Sequence, residues 1–178
     1  MFFHGKFTIE FEEDTYISCM KISNWGFCME NVNFKKIMIA TDGSICSRMA
    51  ANKGIELARL SGGTVYAVYV VSTEYFSSMG VDFYWGKMYE ALKKEGQQAV
   101  NYIKDLGEME KVNVESVLLE GHPADELIRY AEEEEMDIVI MGSLGMTGLD
   151  RLLLGSVAGN LVRHSKVPVM VVKEKCQS

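Results

Sequence analysis

Four short stretches of this 178-residue chain are apolar almost without interruption: Ile37-Met38-Ile39-Ala40, residues 64–71, Ile138-Val139-Ile140-Met141 and Val169-Met170-Val171-Val172. A strand with one face in water alternates apolar and polar residues, so a run that does not alternate belongs to a strand covered on both faces. That is the situation of a parallel sheet sandwiched between helices. Helical segments do separate the runs. The first places Ile45, Met49, Ile55 and Ala58 near one face and stops at Ser61-Gly62-Gly63. A second is expected from about Lys87 to Leu106, with Met88, Leu92, Ala99, Tyr102, Ile103 and Leu106 inward and Gly107 closing it. A further strand over 112–119 precedes Gly121-His122-Pro123, which opens a third helix with Asp125 and Glu126 at its positive end. A short helix over 156–164 completes the set.

Five strands alternating with four helices predict a doubly wound α/β fold with strand order 3-2-1-4-5. The order reverses between the first and fourth strands, and ligands of such sheets bind outside the carboxyl ends at that switch. Asp42, after the first strand, and Gly142, after the fourth, are singled out before any motif is considered. If the fifth strand is the sheet edge, Val169–Val172 presents unpaired backbone on an apolar strand. Pairing with a second copy, a two-fold homodimer, is the expected remedy.

Composition removes several classes of function. Eighteen basic and 25 acidic side chains leave a net charge of −7, with no cluster of Lys and Arg, so nucleic acid and anionic membrane surfaces are not expected partners. No stretch reaches the roughly 20 apolar residues of a membrane helix. Cys19, Cys28, Cys46 and Cys176 show no metal or redox spacing, which fits free thiols in a reducing cytoplasm. Residues 1–33 lack the strand–helix pattern and the features of a signal peptide. They are read as an N-terminal extension, a β-hairpin being one form suggested by Phe7-Thr8-Ile9-Glu10-Phe11. The domain proper covers 34–173, and 174–178 form a C-terminal tail. The connection over 72–85, rich in aromatic residues, is long enough to suggest a functional role.

Chemistry concentrates in the segment from Gly142 to Ser156, which holds four of the sixteen glycines (Gly142, Gly145, Gly148 and Gly155). It leaves a buried strand and enters a helix. Phosphate binding needs inward N–H groups, close approach without a Cβ, and a helix amino end. Ser156 adds a hydroxyl and Arg151 a charge. The bland alternative is a flexible loop whose serine merely caps the helix. Asp42 likewise reads either as a ligand residue or as a turn residue. Neither GxxxxGK[ST] nor GxGxxG occurs, and His4, His122 and His164 form no triad or metal set. No catalytic or metal-binding residues are assigned.

Ile39-Ala40-Thr41-Asp42-Gly43-Ser44, Gly121-His122-Pro123-Ala124 and the segment 142–172 together resemble the universal stress protein family, in particular its ATP-binding branch. The family motif G-x2-G-x9-G-S/T is met by Gly142, Gly145, Gly155 and Ser156. The resemblance implies a Rossmann-like fold of the nucleotide-binding α-hydrolase type, and ATP as ligand, with Mg²⁺ on its phosphates. It implies that Asp42, with the backbone of Ala40 and Thr41, faces the adenosine. Val70 offers its backbone to the adenine, and Met141 and Gly142 lie near the ribose. Gly145, Gly155, Ser156 and Val157 hold the phosphates. Leu144 departs from the family, many of whose members carry a basic or histidine side chain there. The expected function is nucleotide-dependent regulation in a stress response, through a protein partner the sequence does not identify. ATP hydrolysis, if any, is expected to be slow. The rival classes are a dimeric interaction module with a vestigial site and a true ATPase.

Overall fold

A computed structural model describes residues 10–11, 15–19, 34–73, 84–145 and 154–173. In chain order the elements are β1 (Glu10–Phe11), β2 (Thr15–Cys19), β3 (Lys36–Ala40), α1 (Ile45–Ser61), β4 (Thr64–Ser72), α2 (Tyr84–Glu110), β5 (Val114–Gly121), α3 (Pro123–Glu133), β6 (Ile138–Gly142), α4 (Ser156–His164) and β7 (Val169–Val172). They form one sheet of order β1-β2-β7-β6-β3-β4-β5. Its five strands from β3 onward are all parallel and, numbered among themselves, run 3-2-1-4-5 as the sequence predicts.

The uninterrupted apolar runs have their explanation in two cores, one on each side of the sheet. Ile37, Ile39, Val65, Ala67 and Ile140 face α1 and α2, packing with Ala50, Ala51, Ile55, Val100 and Ile103. Met38, Ala40, Val68, Val139 and Met141 face the other way, toward Leu127, Ala131, Ala158 and Leu161. Each such Val, Ile or Leu, fully buried, contributes roughly 1.5–3 kcal/mol. The amino ends of β3 and β6 are tied by the Asp137 carboxylate, which accepts from the N–H groups of Lys35 (2.6 Å) and Lys36 (2.8 Å).

Three sequence expectations change. The second helix is longer than expected at both ends and runs straight through Gly107. That glycine is a contact residue, not a stop: a Cβ there would lie 2.2 Å from Val114 Cγ2, so its absence lets α2 close onto β5. Gly62, by contrast, does end α1, in the left-handed conformation (φ 65°). Met88 and Ile45 are 41% and 69% exposed, so neither belongs to the core. Most consequential, β7 is not the edge of the sheet. β2 lies antiparallel along it, with Ile17 opposite Val172, Ser18 opposite Val171 and Cys19 opposite Met170, and β1 pairs with β2 in turn. The backbone that a second copy was expected to cover is occupied by this chain's own residues. Most of the aromatic connection, residues 74–83, lies outside the described residues, as do Gly148 and Arg151.

Candidate functional site

Two strand-to-helix turns meet at the switch. In the first, β3 ends at Ala40 and the chain turns through Thr41-Asp42-Gly43-Ser44 into α1. The turn is held by its own side chains. The Asp42 carboxylate accepts from the Ser44 N–H (3.0 Å), the Thr41 hydroxyl accepts from the Gly43 N–H (3.1 Å), and Ser44 caps α1 by accepting from the Ser47 N–H (3.2 Å). Gly43 takes φ 80°, a conformation that favours glycine. Asp42 therefore is a turn residue, with Oδ1 as the oxygen that accepts within the turn. The other points across the switch: a Cβ on Gly145 would sit 2.8 Å from Asp42 Oδ2.

In the second turn, β6 ends at Gly142. A Cβ there would meet the carbonyl carbon of Cys46 at 2.8 Å and its Cβ at 2.9 Å, so this glycine exists to let β6 pass under the first turn of α1. Ser143, nearly fully buried, is the pivot. Its N–H donates to the Val172 carbonyl (2.9 Å), and its own carbonyl accepts from the Gly155 N–H (2.8 Å). That second bond brings the amino end of α4 back onto the end of β6. Nothing in the sequence marks Ser143 for this role, because both bonds are made by its main chain.

Gly155 is the N-cap of α4, with φ −58°, ψ 158° and no side chain to cap with. The first helical bond is Gly159 N–H to Gly155 carbonyl, 2.8 Å. The N–H groups of Ser156, Val157 and Ala158 thus open the helix without acceptors inside it. Ser156 is the first helical residue and its side chain is exposed, so the reading of Ser156 as an ordinary serine cap fails. A Cβ on Gly155 would meet Ser143 O at 3.5 Å and Gly145 N and Leu144 Cα at 3.7 Å, ordinary contact distances.

The remaining predicted residues divide. The β3–β4 register ends at Ala40 opposite Val68, and the Thr41 N–H donates to the Val68 carbonyl (2.9 Å). Main-chain direction alternates along a strand, so Val70 turns its amide groups to the same side, past the end of β3 and toward the Asp42 turn. The Met141 side chain is buried among the α3 and α4 contacts, leaving only its backbone for a ligand. Val157 packs partly into that same core. Tyr69, which the sequence reading passed over, stands on the opposite face of β4. Burial, and then the negative charges of Glu95 and Asp42, push its phenol above the usual range, so it stays a neutral hydroxyl. A cavity of about 180 Å³ lined by Thr41, Gly43, Arg48, Glu95 and Tyr102 adjoins the turn. It is smaller than the roughly 300 Å³ at which ligand pockets begin. His122 stands at the amino end of α3, its Nδ1 3.2 Å from the Asp125 carboxylate. Among the described residues no group of three or more His, Cys, Asp or Glu could hold a metal ion.

The model of the universal stress protein family matches residues 33–173. Universal stress protein MJ0531 of Methanocaldococcus jannaschii is 41% identical over 141 residues, 79% of this chain and 83% of its own length. The solved structure of MJ0577, from the same organism, is similar with a TM-score of 0.72 at 33% identity, over 81% of this chain and 99% of that one. A universal stress protein family structure from Arabidopsis thaliana with AMP bound is alike in fold, with a TM-score of 0.59 at 19% identity over 80% and 93% of the two chains.

Proposed function

Because the chain belongs to the universal stress protein family, we propose that it binds ATP or a related adenine nucleotide at the carboxyl ends of β3 and β6, and acts as a nucleotide-dependent regulator in a stress response. One observation carries this reading. Gly145 and Gly155 are glycines that the described residues do not require. Neither has a positive φ, and among those residues a Cβ on Gly155 would find ordinary space and a Cβ on Gly145 would meet the end of the Asp42 side chain. They flank the opening of α4, where three backbone N–H groups have no acceptor within the helix. A phosphate brought close to those amides is what a missing Cβ on each side accommodates.

The other roles follow from position. The outward-turned backbone of Val70 suits the edge of an adenine, and the Asp42 carboxylate, with Oδ2 toward Gly145, suits an adenosine hydroxyl or amine. The backbone of Ala40, Thr41, Met141 and Gly142 lines the strand ends between them. Gly145, Gly155, Ser156 and Val157 surround the phosphates. A Mg²⁺ ion would depend on the phosphates for most of its ligands, since Asp42 is the one carboxylate at this turn. Among the described residues the site offers no nucleophile–base pair, which suits regulation better than turnover. The AMP seen in the Arabidopsis relative supports the ligand class. A reducing cytoplasm suits four cysteines without pairing spacing.

Calorimetric titration of the full chain with ATP, ADP, AMP and GTP tests the proposal, alongside mass spectrometry of small molecules retained on purification. Adenine nucleotides are expected to bind, and Ser156→Tyr, exposed and therefore harmless to folding, to abolish it. Equal binding by wild type and Ser156→Tyr, or none by either, refutes the assignment and leaves an interaction module.

A further inference from the structure

The buried face of α1 consists of Ser47, Ala50, Ala51, Gly54, Ile55 and Ala58. Ser47 is its one polar side chain, and it is 3% exposed. A hydroxyl buried that deeply costs free energy unless it is hydrogen-bonded, and an alanine would avoid the cost with little change of volume. Among the described residues, all the bonds of the Ser47 hydroxyl go to the Asp42 turn. It accepts from the Thr41 hydroxyl (3.1 Å) and donates to the Ser44 carbonyl (2.9 Å). The Ser47 N–H donates to the Ser44 hydroxyl (3.2 Å). Thr41 and Ser44 are the two ends of the turn, so one residue clasps both.

The helix itself does not need the clasp. The Ser44 carbonyl already accepts from the Arg48 N–H (3.1 Å), and α1 is held to the sheet by Ala50, Ala51, Ile55 and Ala58. What depends on Ser47 is the tip between the clasped ends. Thr41 Oγ1 accepts from the Gly43 N–H (3.1 Å), and Asp42 Oδ1 accepts from the Ser44 N–H (3.0 Å). Threonine is stiff at χ1, and giving its proton to Ser47 keeps the Thr41 hydroxyl in the rotamer that receives Gly43. Without that acceptor the hydroxyl turns to another partner. Gly43, at φ 80°, then loses the bond that fixes its peptide plane. The Asp42 carboxylate is attached to that plane. Its Oδ2 is directed toward Gly145, where a Cβ would lie 2.8 Å away, and it is this direction that the clasp preserves.

We propose that Ser47 is a positioning residue of the site: without touching the nucleotide, it holds the Asp42 carboxylate in the direction that receives the adenosine. This role rests on the adenine-nucleotide reading of the site given above.

The test compares wild type, Ser47→Ala, Asp42→Ala and the double variant as full chains. ATP affinity is measured by calorimetric titration, and urea unfolding and amide exchange at Gly43 are followed without ligand. Ser47→Ala is expected to stay folded and to exchange the Gly43 amide about fivefold faster. It is expected to bind ATP about three- to tenfold more weakly, the worth of one hydrogen bond. In the Asp42→Ala background the same substitution is expected to change affinity by less than about twofold, because the group through which it acts is gone. A merely structural role would weaken binding equally in both backgrounds. Thr41→Val, which removes the partner hydroxyl at nearly equal volume, is expected to match the loss in Ser47→Ala. Wild-type affinity in Ser47→Ala, an equal loss in both backgrounds, or unchanged exchange at Gly43 each overturns the role of Ser47 and leaves the nucleotide site standing. No ATP binding by wild type refutes the nucleotide reading, and the role of Ser47 with it.

Discussion

Gly155→Asp should strengthen the fold and weaken nucleotide binding at the same time. Gly155 occupies the N-cap of α4 with an extended backbone that any residue adopts, and a Cβ there meets its nearest neighbour, Ser143 O, at 3.5 Å. An aspartate would accept from the N–H groups of the first turn. Capping is worth a few tenths of a kcal/mol over glycine, the helix dipole adds about 0.3–1, and the loss of glycine freedom in the unfolded chain adds about 0.4–1. The sum is about 1–2 kcal/mol, a rise in Tm of roughly 2–8 °C for a chain of this size. The same carboxylate stands where a phosphate is proposed to sit. Like charges about 4 Å apart repel by about 4 kcal/mol at an effective dielectric constant of 20, so affinity for ATP should fall on the order of 10²–10³-fold. Gly155→Asn caps equally well without the charge and should lose far less. Thermal denaturation and competition with a fluorescent adenine nucleotide read the two effects. Unchanged ATP affinity in the aspartate variant refutes the phosphate assignment, and a lowered Tm refutes the N-cap geometry.

Gly142→Ala should weaken the fold instead. Its Cβ would press on the Cys46 main chain at 2.8 Å, costing about 1–3 kcal/mol, and denaturant unfolding should register that loss in the absence of any ligand. At alkaline pH the buried Tyr69 and the partly buried Tyr130 become a liability. Burial is the leading cause that raises both Tyr69 and Tyr130, joined by Glu95 and Asp42 at the first and by Glu134 at the second. A folded pKa above the unfolded value of 10.0 means that their stabilising contribution is complete below pH 10 and lost as pH rises through the folded values. Unfolding midpoints should therefore drop above pH 10, and less so in Tyr69→Phe.

Much of this architecture was legible along the chain. The runs Ile37–Ala40 and Ile138–Met141 lacked alternation because both faces of β3 and β6 are buried, and that pattern alone implies a helix-covered parallel sheet. The switch point, the stop at Gly62 and the start of α4 at Ser156 rest on short-range chemistry, so sequence spacing located them. Gly107 was misread because a helix-ending glycine and a helix glycine pressed against a neighbouring strand look alike until the neighbour is known. Ser143 was missed because its part is played by backbone groups that every residue carries. The candidate site divides in the same way. Spacing placed Gly142, Gly145, Gly155 and Ser156 in one loop, but only the folded distances separate Gly142, which the packing of Cys46 demands, from Gly145 and Gly155, of which the described residues make no such demand. The edge of the sheet lay further out of reach. Val169–Val172 reads as an exposed edge from its own composition, yet what covers it is β2, about 150 residues earlier in the chain. Local preferences and periodicity are properties of neighbours in sequence, and they determined the class of fold. Close approach and edge pairing join residues far apart in the chain, and only the tertiary structure decides those.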